Sequence, residues 1–326
     1  MSLYLITGGC GFIGSHLADL LLENGHKVRV LDDLSTGKRE NLSSRAELLL
    51  GDVTNYMAVE QALVGVDGCF HLAAVASVER CNRDWIGSHR TNLTGTITVF
   101  AGARATATRA AIPVVYASSA AVYGDQSVSP LGETLQPQPL SAYGADKLGC
   151  ELHARVATLI HGVPAVGLRF FNVYGPRQDP KSPYSGVISI FCSQLRQGLP
   201  ISIFGDGEQV RDFVYVRDVT QALWAAMQRK HPAGSVFNVC TGTPTTVLQL
   251  AQTIATLLQV SPTLIHQPAR EGDIRVSLGD ARLATAQLPW SARTSLATGL
   301  TDLLDERWIL LPSSPLSPSA CTVRPI

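Results

Sequence analysis

The chain has 326 residues, 26 basic and 26 acidic, with no Lys/Arg run. Balanced charge leaves no electrostatic footprint for nucleic acid or an anionic membrane surface, so small molecules are the expected ligands. Seven scattered cysteines with no C-x-x-C pair or metal-ligand spacing read as free thiols of a reducing compartment, and no metal is expected. No apolar stretch reaches the ~20 residues that span a bilayer, so the expectation is a soluble, cytoplasmic protein without a membrane partner.

Apolar runs alternate with helix-compatible stretches from the N-terminus onward. Strands are predicted over 3–7, 27–31, 46–50, 68–72, 114–118 and 165–169, and helices over 13–23, 57–63, 90–109 and 143–161. Strand, helix, strand, repeated, specifies an α/β, Rossmann-type, doubly wound parallel sheet. After Asn172 the texture changes. Pro176, Pro180 and Pro183 mark loops, and helices over 187–197, 219–228 and 247–258 are interleaved with strands over 201–204, 213–216 and 236–239. The expected organisation is a dinucleotide-binding domain over 1–172, regained by segments around 213–240, with a smaller C-terminal α/β substrate lobe over 173–308. The last stretch, PSSPLSPSACTVRPI, is too poor in apolar residues to pack, and 309–326 is expected to be a disordered tail.

The first strand runs into Gly8-Gly9-Cys10-Gly11-Phe12-Ile13-Gly14 and then a helix. Glycines there permit a tight turn and close approach of backbone to a pyrophosphate, whose charge sits at the helix N-terminus. The second strand ends in Asp32-Asp33, eighteen residues past Gly14, where a carboxylate can accept from ribose hydroxyls. Two adjacent carboxylates repel a 2′-phosphate, which favours NAD over NADP. Asp52, ending the third strand, can meet the adenine amino group, and the small Ala73 and Ala74 after the fourth leave room for the cofactor against the backbone.

Residues 117–124 read ASSAAVYG. Ser119 ends a strand on the edge where open α/β sheets bind ligands. Tyr143 and Lys147 stand four apart at the start of a predicted helix and share one face. Such a pair on an ordinary helix is more often solvated surface; its placement beside Ser119 points to chemistry instead. A free phenol ionises near pH 10. The Lys147 ammonium and the positive nicotinamide both favour phenolate, which makes Tyr143 a general base for a substrate hydroxyl.

Taken in order, ITGGCGFIGSHL, LDDLSTG, GDV, HLAAVASV, TNLTGT, ASSAAVYG, YGADK, LRFFNVYGPRQ, FGDGEQVRDFVYV and AREGDIRV resemble the extended short-chain dehydrogenase/reductase family, within it the nucleotide-sugar 4-epimerases, over residues 3–308. The resemblance implies an NAD-dependent isomerase in which Ser119, Tyr143 and Lys147 are catalytic. It implies cofactor contacts from Gly8, Gly11, Phe12, Ile13, Gly14, Asp32, Asp33, Leu34, Ser35, Thr36, Gly37, Asp52 and Val53, then from Leu72, Ala73, Ala74, Ala76, Asn92, Ser119, Tyr143, Lys147 and Phe171. Substrate contacts would come from Ser77, Ser119, Tyr143, Asn172, Phe204, Arg211, Arg270 and Ser277, with Asn172, Arg211 and Arg270 on the nucleotide diphosphate. Ser277 falls where related chains carry a bulky Tyr or a small residue, and a small residue leaves space for a 2-N-acetyl group. Ala76 stands where several epimerases carry a cofactor-binding lysine, a departure that weakens the grip on NAD. Related 4,6-dehydratases carry an Asp-Glu pair, and related decarboxylases a glutamate, where this chain has Ala120 and Ala121. The expected substrates are UDP-glucose/UDP-galactose together with their N-acetylated counterparts. The alternatives are a UDP-glucuronate epimerase or decarboxylase, a dehydrogenase, or a non-catalytic NAD-binding protein. A homodimer through the helices at 90–109 and 143–161 is expected by analogy.

Overall fold

The computed structural model describes residues 1–179, 186–269, 272–305 and 324–325. In chain order the elements are β1 (Leu3–Thr7), α1 (Phe12–Glu23), β2 (Lys27–Asp32), β3 (Glu47–Leu50), α2 (Tyr56–Ala62), β4 (Gly68–His71), α3 (Val78–Arg83), α4 (Trp85–His89), α5 (Gly95–Gly102), β5 (Val114–Ser119), α6 (Ala142–His161) and β6 (Ala165–Phe170). There follow β7 (Asn172–Tyr174), α7 (Val187–Arg196), β8 (Ile201–Phe204), β9 (Val210–Arg211), β10 (Phe213–Tyr215), α8 (Val216–Met227), β11 (Val236–Val239), β12 (Thr245–Thr246), α9 (Val247–Leu258), β13 (Leu264–Gln267), β14 (Val276–Ser277), α10 (Arg282–Gln287), α11 (Leu296–Leu304) and β15 (Arg324–Pro325).

The main sheet is parallel throughout, in the order β11-β6-β5-β4-β1-β2-β3-β15. The central strands β1, β4, β5 and β6 are buried on both faces, which is why they read as nearly continuous apolar runs. Leu5 and Ile6, neighbours on β1 and both fully buried, point to opposite sides: Leu5 joins the core under α2, α5 and α6, and Ile6 the core under α1 and α8. The winding reverses between β1 and β4, and a crevice opens above their C-terminal ends, where this class of fold binds its ligands. This is a Rossmann-type α/β architecture.

A smaller lobe gathers β8 with β13, β9 between β12 and β14, and helices α7, α9 and α11 around Phe191, Ile201, Ile203 and Leu250. Its connection to the sheet is not a simple succession. β10 pairs with β7 at the junction, after which α8 packs on α1 and β11 lies beside β6.

Two expectations about elements change. The helix predicted over 90–109 instead starts at Trp85, where the Asp84 side chain accepts from the Gly87 amide, passes through a π-turn at Arg90–Thr94 and stops at Gly102. It stops because Arg109 Nη2 donates to the carbonyls of Gly102 and Arg104 at 2.6 and 2.9 Å, taking acceptors another helical turn would need. Of the expected tail at 309–326, residues 309–323 and 326 lie outside the described residues, and Arg324–Pro325 pair parallel to β3.

Candidate functional site

The turn between β1 and α1 is built for backbone to approach backbone. Gly8 has φ +71°, and a Cβ there would lie 2.7 Å from the Ala73 nitrogen; one on Gly14 would lie 2.3 Å from the Gly8 carbonyl oxygen. Gly11 caps α1 without a side-chain partner, so the first amides of the helix stay available to an anion. Asp32, 6 % exposed, receives the Cys10 amide on Oδ2 and the Leu34 amide on Oδ1, each at 2.9 Å. Two lone-pair positions remain for hydroxyl donors. Burial raises its pKa, and the neighbouring Asp33 charge adds to that. Leu34 takes a left-handed φ of 57°, after which Asp33 Oδ1 receives both the amide and the hydroxyl of Ser35. Gly37 lies close against Asp32 and Cys10, and Asp52 accepts from the Thr54 amide, turning the chain after β3.

Thr7 and His71, at the ends of β1 and β4, carry no signal in the motifs yet fix the opposite wall. Thr7 Oγ1 accepts from the amides of Leu72 and Ala73, both at 3.2 Å, so its proton goes to His71 Nδ1 at 2.7 Å. The remaining ring proton is then on Nε2, which donates to Thr96 Oγ1 at 3.0 Å. Burial drives the His71 pKa down to about 3, with the Lys147 charge in the same direction, so the ring is neutral. Asn92, inside the π-turn, spends its amide on the Val75 main chain, accepting at 2.8 Å and donating at 3.2 Å. Its place is therefore behind the loop that carries Ala73, Ala74 and Ala76, which it holds in shape. Ser77 caps α3 through the Arg80 amide.

Ser119 ends β5 and caps a short 3-10 turn, its Oγ accepting from the Ala121 amide at 3.1 Å. One lone pair is thus engaged while the hydroxyl proton stays free to donate. α6 starts against this turn. A Cβ on Gly144 would lie 2.5 Å from the Ala121 carbonyl oxygen, so only glycine lets Tyr143 come so near the Ser119 segment. Lys147, 3 % exposed, sits with Nζ 5.7 Å from the Tyr143 ring centroid and donates to the Ala117 carbonyl at 2.9 Å.

Comparison with known proteins agrees with this geometry: the NAD dependent epimerase/dehydratase family matches residues 4–240. The chain belongs to that family. A UDP-glucose 4-epimerase of Mycolicibacterium smegmatis is 36 % identical over 314 residues, 92 % of this chain and 97 % of that one. The solved UDP-glucose 4-epimerase of Thermotoga maritima with UDP-glucose superposes with a TM-score of 0.89 at 36 % identity, covering 95 % of this chain and all of the other. The UDP-glucuronic acid decarboxylase 1 of Arabidopsis thaliana is 32 % identical over 312 residues, 93 % of this chain and 69 % of that one. The cofactor of this epimerase/dehydratase family member is NAD. The cradle at Gly8 and Gly14, the uncapped start of α1 and the Asp32–Asp33 pair fit a dinucleotide with a free ribose 2′-hydroxyl.

On the substrate side the family member brings together residues far apart in the chain. Ser277 on β14 lies directly beside Arg211 on β9. Arg211 is largely committed: Nη2 meets Asp273 at 2.6 Å, and Nη1 donates to the carbonyls of Val210 and Ile274. Burial lowers its pKa and the Asp273 charge works the other way. Asn172 is half-buried on β7, while Phe171 before it is buried with Val122, Tyr123 and Cys240. Phe204, half-buried, ends β8. Arg270 lies outside the described residues.

Proposed function

We propose that the protein interconverts the C4 epimers of UDP-hexoses, UDP-glucose with UDP-galactose and, with the small Ser277 at the pocket wall, their 2-N-acetylated counterparts. The observation that carries this reading is the turn after Ser119. Ala120 and Ala121 offer only methyl groups and main chain, the Ala121 amide resting on Ser119 and its carbonyl against Gly144. Of the two buried carboxylates of α6, Glu151 has both oxygens engaged by Arg169 and Ser118, and Asp146 is held by His89 through Oδ1 at 2.7 Å. Elimination or decarboxylation needs a further acid or base beside the sugar, and the described residues of this turn supply none.

In this reading Ser119 donates to the C4 oxygen while Tyr143 takes the proton of the C4 hydroxyl, Lys147 stabilising the phenolate. NAD held at Gly8, Gly14 and Asp32 would supply a reversible acceptor for the C4 hydride. The 4-ketone turns about its phosphate linkage, with Asn172, Arg211 and Arg270 holding the diphosphate, and Tyr143 gives the proton back once the opposite face is presented. No net oxidation results. Phe204 would lie along the base and Ser77 along the sugar.

A homodimer is part of the proposal. Leu152, Val156, Leu159 and Ile160 form an exposed apolar stripe on α6, and Trp85 and Ile86 are exposed on α4, which packs against α6. Six buried free thiols suit the reducing cytoplasm as the location. Among the described residues no helix is long and apolar enough to cross a membrane.

The decarboxylase reading is kept because of the Arabidopsis relative. Incubation with UDP-glucose, UDP-N-acetylglucosamine and UDP-glucuronate, with products identified by NMR, separates the two. C4 epimers without net reduced cofactor are expected; carbon dioxide and a UDP-pentose would overturn the proposal.

A further inference from the structure

Of the two serines in ASSAAVYG, only Ser119 has a part in the proposed chemistry. Ser118 is 1 % exposed, and its Oγ donates to Glu151 Oε1 at 2.6 Å. Glu151 stands one turn beyond Lys147, so Tyr143, Lys147 and Glu151 are at i, i+4 and i+8 on one face of α6. That face is fastened to the end of β5 at two consecutive residues: Lys147 holds the Ala117 carbonyl and Glu151 holds the Ser118 hydroxyl. The next residue is Ser119.

Behind this contact the sheet adds a second layer of restraint. Arg169, directly across from Ser118 in the β5–β6 register, grips Glu151 with Nε on Oε1 at 2.8 Å and Nη2 on Oε2 at 2.7 Å. Its guanidinium lies 4.8 Å from the centroid of the Tyr123 ring, and the Tyr123 hydroxyl donates to Asn238 Oδ1 at 2.7 Å. Asn238 is in turn the β11 neighbour of Arg169. Burial opposes the Arg169 charge, and the hydrogen bonds it donates to Glu151, with that carboxylate's charge, more than offset it.

A buried ion pair adds little stability over well-packed apolar side chains, because two charges must be stripped of water. It does specify one geometry, since the Nε/Nη2 fork of Arg169 and both oxygens of Glu151 meet in a single arrangement. We infer that Ser118, Glu151 and Arg169 are positioning residues that fix Ser119 relative to Tyr143 and Lys147. The inference rests on the proposed roles of those three residues, but concerns the oxidation half-reaction shared by every sugar reading above.

Ser118→Ala tests it, because Glu151 keeps both bonds to Arg169 and no buried charge is left unpaired. The rate of cofactor reduction by a UDP-sugar, followed in single turnovers by the near-ultraviolet absorbance of the reduced dinucleotide, is expected to fall about tenfold in the wild-type background. In a Ser119→Ala background the same change is expected to cost less than about twofold, since the group it positions is gone. Bound NAD and the KM for the sugar should not move, and amide hydrogen exchange should accelerate in the peptide 117–124 while the segment around Asp212 is unaffected. Equal losses in both backgrounds, an unchanged rate, or unchanged exchange would each overturn the inference. Failure of the 4-epimerase reading shows instead in the products, while the coupling between Ser118 and Ser119 stays readable in the reduction step. If no UDP-sugar reduces the cofactor, both fall.

Discussion

In the proposed chemistry Ser119 and Tyr143 divide the work at the reacting oxygen, one offering a proton and the other accepting one. Tyr143→Phe keeps the ring and its packing but removes the only proton-accepting atom of that side chain. Epimerisation should fall by about 10²–10⁴-fold, with NAD still bound in purified protein; interconversion at the wild-type rate would remove Tyr143 from the mechanism. In the same proposal Ser277 governs room, not chemistry. Ser277→Tyr should lower the ratio of N-acetylated to plain UDP-hexose turnover by about tenfold or more, and an unchanged ratio would dismiss the pocket-wall argument. The Tyr143/Lys147 spacing and the Asp32 carboxylate were legible because each depends on neighbours within one or two elements. Gly144 was not, since its requirement comes from the Ala121 carbonyl across space. Nor was the commitment of Arg211 to Asp273, which stands 62 residues later.

Elements set by apolar period came through closely: the strands expected over 201–204 and 236–239 and the helix over 247–258 are those observed. Where side chains from elsewhere end or extend an element, as Arg109 and Asp84 do for the helical run around Asn92, composition alone gave the wrong bounds. β7, β9, β12 and β14 are two or three residues long and exist only through pairing, so they leave no periodic trace. Thr7 joins two elements that motif reading treats separately. Thr7→Val preserves shape and leaves the Leu72 amide on the residue-7 carbonyl, but strips the Ala73 amide of its acceptor and the buried His71 Nδ1 of its donor, which should cost about 1–3 kcal/mol of stability. Chemical denaturation measures that loss, and NAD content after gel filtration should drop with it. If both are unchanged, the wall of the crevice is set by something other than this hydroxyl. The apolar stripe on α6 belongs to the same scale. Ile160→Asp should convert a dimer to a monomer in light scattering; a wild-type monomer would show that the stripe serves no self-association.

Across the molecule, burial has made three histidines acid-sensitive, His16, His71 and His231. His16 donates from Nε2 to the Pro176 carbonyl at 2.9 Å, joining α1 to the chain beyond β7. Burial, the largest influence, lowers its pKa from 6.5 to about 4. The folded value is below the unfolded one, so between these pH values the unfolded chain binds a proton that the native protein refuses, and stability falls as pH drops through the window. His16 alone accounts for about 3 kcal/mol of that loss, and His71 acts in the same direction. Denaturant midpoints from pH 7 to pH 4 should show the decline, with a shallower slope in His16→Gln; parallel slopes would rule His16 out as a source.

The place of β11 beside β6 has a consequence for how the protein is made. The β6 edge of the sheet that receives the dinucleotide is covered only when residues 236–239 arrive, after much of the second lobe has left the ribosome. Until then β6 is an open edge, and the face later roofed by α8 is bare to solvent. A gene cut after residue 172 would therefore yield a sticky half-sheet rather than a small nucleotide-binding protein, and the two lobes are inherited as one indivisible unit.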